Sequence, residues 1–253
     1  MLAGIVLSGV LIGCSAASHT APAPHEHLPS DSTALAAIYD AAIDEAAALN
    51  EKAVAPLTPV TPHNDTLRQY TDTTGTRWVQ VVTWTDQPHL SDNARHATPG
   101  DTVRVESDVW TTLVPAVQQF CTSLPDEALE RRLEQRLGLP PYVGYTHFFT
   151  FWVDAESLFR PCPNPSTSNP HCWPDGPQPH TRLHATEAHR SWLADQFAFA
   201  HEPGGYPFTG LGYTYDWGHP NDPVGFSEFV VPADTTIRLV AVEGTTSYCA
   251  GNP

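Results

Sequence analysis

Hydrophobic and polar positions alternate in three stretches of the chain with patterns that predict regular structure. In residues 32–52, apolar side chains recur every three or four positions behind several capping candidates, which predicts a helix. Arg77–Thr85 (RWVQVVTWT) and residues 145–153 (YTHFFTFWV) are rich in β-branched and aromatic side chains, which predicts two strands.

Weaker patterns predict helices over residues 111–120, 124–137 and 186–200, and strands over residues 102–106, 225–231 and 236–242. The last two strands are expected to form a hairpin around a turn at residues 232–235. Because strands and helices do not alternate regularly, the predicted class is α+β, with a mainly antiparallel sheet and about three helices. No repeat or boundary divides residues 32–253, which are expected to form one globular domain.

The composition limits the possible partners. The chain has 28 acidic and 12 basic residues, a net charge of −16, and no basic stripe, so nucleic-acid binding is not expected. A hydrophobic content of 41% excludes global disorder.

The first residues have the character of a targeting signal. Residues 1–13 (MLAGIVLSGVLIG) are apolar but too short to span a bilayer as a helix. The run ends in Leu11-Ile12-Gly13-Cys14, which resembles the lipobox of bacterial lipoproteins. The resemblance covers residues 1–14 only. It implies cleavage before Cys14, lipidation of the Cys14 thiol and, with Ser15 behind it, anchoring to the bacterial outer membrane.

The alternative is an ordinary signal peptide with an incidental cysteine, in which case the protein is secreted. Residues 14–31 are predicted to be a flexible tether. His25 and His27, within that tether, are interpreted as solvated side chains rather than metal ligands.

An even number of cysteines remains in an oxidising compartment, which favours two disulfides among Cys121, Cys162, Cys172 and Cys249. Three connectivities are possible. We favour Cys162–Cys172, which closes a short proline-rich loop, and Cys121–Cys249, which ties the C-terminus to mid-chain. The alternative is a metal site built from Cys162, His171, Cys172 and His180, although it lacks CxxC spacing.

Two polar residues stand alone on apolar strand faces. In the predicted hairpin, Glu228 is the only charge on a face that otherwise carries apolar side chains. His147 has the same position in the strand at 145–153. If the two strands are neighbours, Glu228 and His147 are candidates for an acid–base pair. Alternatively both are structural, or a bulged turn shifts the register and turns Glu228 outward.

A glycine- and aromatic-rich loop leads to Glu228. In it, Tyr213, Tyr215 and Trp217 alternate with other residues, which suits a platform for sugar rings or flat heterocycles. Packing over the end of a sheet is the favoured alternative. Asp216, in the same loop, is a candidate partner of Glu228 for glycoside hydrolysis.

Arg160 is the one basic residue singled out as a candidate binding group. A structural ion pair is its favoured role, and binding of an anionic ligand is the alternative.

The chain contains no Walker loop, GxGxxG, HExxH, GxSxG or CxxCH motif, and nothing implies a cofactor. The first functional hypothesis is therefore a lipid-anchored domain that binds a small molecule or a protein. The second is an extracytoplasmic hydrolase or transferase that uses the Glu/His pair and the aromatic loop. Metal capture by the histidines is third, because they do not cluster at ligand spacing.

Overall fold

A computed structural model describes residues 31–49, 53–86, 97–172 and 185–251. The strands in these ranges are β1 (Gln69–Thr71), β2 (Arg77–Thr85), β3 (Thr102–Arg104), β4 (Val109–Leu113), β5 (His147–Asp154), β6 (Tyr213–Tyr215), β7 (Val224–Val231) and β8 (Thr236–Gly244). The helices are α1 (Ser32–Ala47), α2 (Val114–Thr122), α3 (Leu129–Arg136), α4 (Glu187–Ala200) and α5 (Thr245–Ala250). The α+β class is confirmed, with five helices in the described ranges rather than about three.

All the strand pairs are antiparallel and belong to a sheet of order β3-β8-β5-β2-β4-β7-β6, with β1 beside the first part of β2. The sheet is therefore mainly antiparallel, as predicted. Its centre is the long β2–β5 pair, which runs from Trp78 opposite Asp154 to Thr85 opposite His147.

The predicted hairpin is wrong. β7 and β8 both exist, but β7 pairs with β4 and β6, whereas β8 pairs with β3 and β5. The turn between them bonds to the β3–β4 turn instead. The Asp234 N–H donates to the Val105 carbonyl at 2.8 Å, and the Val105 N–H donates to the Thr235 carbonyl at 2.9 Å. These bonds hold the turn against the β3–β4 connection, while the chain passes from β7, near one end of the sheet, to β8, near the other.

This connection requires the sheet to curl. In a flat sheet, β7 and β8 would be four strand spacings apart, about 19 Å. The five steps of chain from Val231 to Thr236 span at most about 18 Å when fully extended, and here residues 232–235 form a turn closed by a bond from the Thr235 N–H to the Pro232 carbonyl. The concave side of the curled sheet holds a core of aliphatic and phenylalanine side chains that includes Val79, Val81, Phe151, Phe229 and Leu239.

Helices α2, α3 and α5 cover the other face of the sheet, where Val82, Trp84, Phe148 and Phe226 point. The Cys121–Cys249 disulfide joins α2 to α5, and the Cys162–Cys172 disulfide closes the proline-rich loop. Both favoured pairings are confirmed, so the two thiols of the alternative metal site are not free. His180 of that site lies outside the described residues.

Local signals mark the starts of three helices. Asp31 caps α1 by accepting a hydrogen bond from the Ala34 N–H, and Thr186 caps α4 in the same way from His189. Pro115 lies in the first turn of α2, where its missing N–H costs nothing. The helix predicted at 111–120 begins three residues later, at Val114, because β4 occupies Val109–Leu113.

In the described part of the chain, we find no helix long and apolar enough to cross a membrane. The predicted signal segment, Cys14 and the tether up to residue 30 lie outside that part.

Candidate functional site

A cavity of about 430 Å³ lies against the face of the sheet formed by β2, β4 and β7. The end of α4 and residues 206–209, which follow it, form another part of the wall. Residues 107–108, residues 137–139, Tyr145, Phe148 and β6 complete the lining in the described ranges.

Aromatic side chains dominate the lining, namely Trp84, Trp110, Tyr145, Phe148, Phe199, Tyr206 and Phe208, with Tyr213 and Tyr215 of β6. Register explains part of this arrangement, because Trp84 lies opposite Phe148 on the central strand pair and their rings stack with centroids 5.8 Å apart. Phe199 and Tyr206 also contact solvent, with 63% and 38% of their surfaces exposed. These two rings therefore mark where the cavity opens.

Glu228 is the principal ionisable group of the cavity. It lies on β7 directly opposite Thr112, deep within the fold, with its side chain partly accessible where it borders the cavity. Among the described residues, its carboxyl group has no hydrogen-bond or ion-pair partner. Burial raises the pKa of Glu228 to about 8, so the side chain is mainly a neutral carboxylic acid at pH 7.

No lysine, arginine or histidine lines the cavity among the residues that the structure describes. The other carboxylate that borders it is Asp108, which is exposed and already bound. Its oxygens accept hydrogen bonds from the Trp192 Nε1–H at 2.8 Å and from the Ala233 N–H at 2.9 Å. Glu228 is therefore the carboxyl group in the cavity that is left for a ligand.

The structure does not bring His147 and Glu228 together. Their strands, β5 and β7, are separated by β2 and β4, a distance of about 14 Å between strand axes. Across the sheet, Glu228 aligns with Thr112, Val82 and Thr150. His147 is three residues from Thr150, so alternation places it on the opposite face. The acid–base pair therefore has no geometric basis, because the hairpin register from which it was predicted does not occur.

Asp216 is the anion of a buried ion-pair network rather than a cavity residue. It is 0% exposed, and its Oδ2 lies 3.0 Å from Arg132 Nη2, 3.2 Å from Arg136 Nη1 and 3.2 Å from His219 Nδ1. Burial by itself would raise the pKa of Asp216, but hydrogen bonds from Arg132 and His219 and the charge of Arg136 hold it below its usual value. Its oxygens are engaged, so it does not act with Glu228 as a second carboxylate.

Replacing Asp216 should therefore affect stability. Asp216→Asn is expected to lower the free energy of unfolding by about 3 kcal/mol, because it leaves two arginines without their shared anion in the protein interior. Urea unfolding at pH 7 measures this. Asp234→Asn is the matched control, since Asp234 pairs with Arg104 on the surface and such pairs contribute about 0–1 kcal/mol. Equal effects of the two substitutions would contradict a buried network.

The three alternating aromatics of the predicted platform are core residues. Tyr213, Tyr215 and Trp217 are all buried. Their polar atoms are used internally, with the Tyr213 hydroxyl donating to the Ala53 carbonyl, the Tyr215 hydroxyl to Glu45 Oε2 and the Trp217 Nε1–H to the Leu139 carbonyl. The favoured alternative, packing, therefore fits these residues, although Tyr213 and Tyr215 also form part of the cavity wall.

Arg160 is fully buried but has no acidic partner among the described residues, so the expected ion pair is not found. Its Nη2 donates to the carbonyls of Thr58, Thr167 and Asn169, and its guanidinium packs 4.6 Å from the centre of the Phe229 ring. Burial lowers the pKa of Arg160 to about 10. The residue fastens the disulfide loop to the segment before β1 and does not border the cavity.

No known protein family, curated protein or solved structure matches this chain. In the described ranges, no group of three or more His, Cys, Asp or Glu side chains is placed to hold a metal ion. Function is therefore inferred from the chemistry of the cavity.

Sequence reasoning identified Glu228 but missed most of the residues around it. Trp84, Trp110 and Tyr206 come from separate segments that only the tertiary fold brings together. One local signal was available at the end of α4, where Phe197 and Phe199 point to different sides of the helix. Two positions on a helix are about 200° apart, so when Phe197 packs against the fold Phe199 faces away from it; Phe197 is partly buried and Phe199 is exposed.

Proposed function

We propose that the domain binds a small, mainly apolar molecule in this cavity, with Glu228 as the polar group that anchors it. The observation that carries the proposal is an unpartnered carboxyl group facing an aromatic cavity that opens to solvent. The Glu228 side chain is partly accessible through the cavity, so a ligand there can reach its carboxyl group. A hydrogen bond from the ligand to this group would contribute about 0.5–1.5 kcal/mol.

The shape and composition of the cavity support the same proposal. Ligand sites are typically concave, lined by apolar and aromatic side chains, and supplied with a few polar groups that fix orientation. This cavity has the size of such sites, and the exposed ring of Phe199 lies at its opening.

The location of this activity is a second part of the proposal. The lipobox-like residues around Cys14 support a domain that is tethered by lipid to the bacterial outer membrane and captures its ligand outside the cytoplasm. Such a domain would use the tether to stay near the membrane while its cavity remains open to the surrounding solution.

Binding is tested with N-phenyl-1-naphthylamine, a neutral aromatic fluorophore whose emission increases in apolar surroundings. We expect saturable, one-to-one binding by the wild-type protein. Phe199→Ser is expected to weaken this binding about fivefold, because it removes about 1 kcal/mol of aromatic contact at the opening. Fluorescence titration measures both affinities.

Tyr70→Ser is the matched control, because Tyr70 is also an exposed aromatic residue but lies on β1, away from the cavity. Its affinity for the probe should equal that of the wild type. Absence of saturable binding, or equal losses in the two variants, would refute the cavity as a binding site.

The hydrolase or transferase hypothesis retains one supporting observation. A carboxyl group that is protonated near neutral pH is suited to act as a general acid. Under that hypothesis Glu228 would act without His147 or Asp216, and Glu228→Gln would abolish turnover of a substrate that still binds.

A further inference from the structure

We infer that the ligand is an organic cation, a small amine whose ammonium group pairs with Glu228 while its apolar part lies against the aromatic walls. This inference rests on the proposed function, because it assigns the chemical class of the molecule in the same cavity. It follows from the charges around the cavity, from its aromatic lining and from the state of Glu228.

The ionisable groups that face the cavity are acidic or phenolic. Besides Glu228, they are Asp108 from the β3–β4 turn, Tyr145 from the segment before β5, Tyr206 from the segment after α4, and Tyr213 and Tyr215 from β6. Burial raises the pKa values of Tyr145, Tyr213 and Tyr215, so these phenols stay neutral at physiological pH. An anionic ligand would find no cation among the described residues of this lining.

Arg136, a cation on this face of the sheet, belongs to another network. Arg136 packs 5.2 Å from the centre of the Phe226 ring, two residues along β7 from Glu228, but its Nη1 is bound to Asp216. Consistent with that, only burial shifts the pKa of Glu228, without an opposing effect of a neighbouring positive charge. Among the residues that the structure describes, none therefore supplies a counter-ion for this carboxylate.

An ammonium group would supply that counter-ion. Ionising Glu228 is costly because burial disfavours its charged form and no described residue pairs with it, whereas a cation beside it forms a charge-assisted hydrogen bond in a partly buried site. Aromatic rings add to this, since their faces attract cations at distances up to about 6 Å. The net charge of −16 also attracts cations to the protein surface and favours their encounter with the opening.

Three indole compounds of similar shape test this preference. Tryptamine carries an ammonium group, tryptophol a hydroxyl group and indole-3-propionate a carboxylate, and each is used to displace N-phenyl-1-naphthylamine at pH 7. We expect tryptamine to bind at least tenfold more tightly than tryptophol, and indole-3-propionate to bind most weakly. Glu228→Gln should remove the preference for tryptamine, so that tryptamine and tryptophol bind to this variant with affinities within about twofold of each other. Asp234→Asn, which removes an exposed negative charge, should preserve the preference.

Proton release provides a measurement that needs no variant. When tryptamine binds, the carboxylic acid of Glu228 transfers its proton to the buffer, and the ammonium group keeps its own protons. Calorimetric titration of the wild-type protein at pH 7 in phosphate and in Tris, which differ in ionisation heat, should show the release of close to one proton for each tryptamine bound. Tryptophol binding should release none.

The outcomes separate this inference from the proposed function. If tryptophol or indole-3-propionate binds as tightly as tryptamine, the ligand class is wrong while the cavity remains a binding site. If the preference persists in Glu228→Gln, the ammonium group binds elsewhere and the inference fails. Failure of N-phenyl-1-naphthylamine to bind at all would refute the proposed function itself.

Discussion

Raising the pH from 5 to 8 is expected to lower the unfolding free energy of the wild-type protein by about 3 kcal/mol more than that of Glu228→Gln. The pKa of Glu228 is about 8 in the folded protein, because the side chain is desolvated, and about 4.3 in the unfolded chain. Between these values the unfolded state has lost the proton and the folded state still holds it. Stability due to this group is therefore complete below about pH 4.3 and is lost as the pH rises towards 8.

Urea unfolding at several pH values measures the difference. Other carboxylates, including Asp216, are present in both proteins and cancel. Glu106→Gln is the matched control, because it makes the same chemical change at an exposed glutamate and should follow the wild-type pH profile. Parallel profiles for wild type and Glu228→Gln would show that Glu228 ionises in the folded protein as it does in the unfolded chain.

Removing the Cys121–Cys249 disulfide is expected to lower the free energy of unfolding by about 5 kcal/mol, and removing Cys162–Cys172 by about 3 kcal/mol. The paired cysteines are 128 and 10 positions apart in the sequence, and a longer loop restricts the unfolded chain more strongly. Each pair is changed to alanine in a double variant, and urea unfolding of the two variants and the wild type gives the difference.

The variant that lacks the short disulfide serves as the internal control. All four cysteines are buried, so both double variants replace buried side chains and differ mainly in the length of the loop that is opened. A larger loss from Cys162→Ala/Cys172→Ala than from Cys121→Ala/Cys249→Ala would contradict a chain-entropy origin. It would indicate instead that removing the short disulfide also disrupts packing of its loop, which Arg160 joins to Thr58 through hydrogen bonds.

Elements with strong local signals could be predicted from the sequence. β2 coincides with its prediction, and α1 and α4 begin beside the capping residues Asp31 and Thr186. The partnering of β7 and β8 could not be predicted, because adjacent strands with a short turn usually form a hairpin. Here the turn bonds to Val105, a residue more than 120 positions away, and local sequence contains no information about that contact.

In the candidate site, too, local patterns could be predicted from the sequence and contacts between distant segments could not. Glu228 stood out because period-two alternation along its own strand is local, and its place on an apolar face with Phe226 and Val230 does not depend on the hairpin. The predicted pairing of Glu228 with His147 did depend on the hairpin, because the whole sheet determines which strands are neighbours. The aromatic walls come from β2, β4, α4 and the following segment, so they become visible only when those elements are assembled.

The position of β8 has a consequence for biosynthesis. β8 is the last strand to leave the ribosome, yet it lies second in the sheet, between β3 and β5. Until it has been synthesised, one edge of β5 stays open and β3 has no strand partner in the described part of the chain. The sheet is therefore completed only after residue 244 has been translated, and nonsense mutations shortly before β8 would release a protein in which β3 and β5 both lack this neighbour.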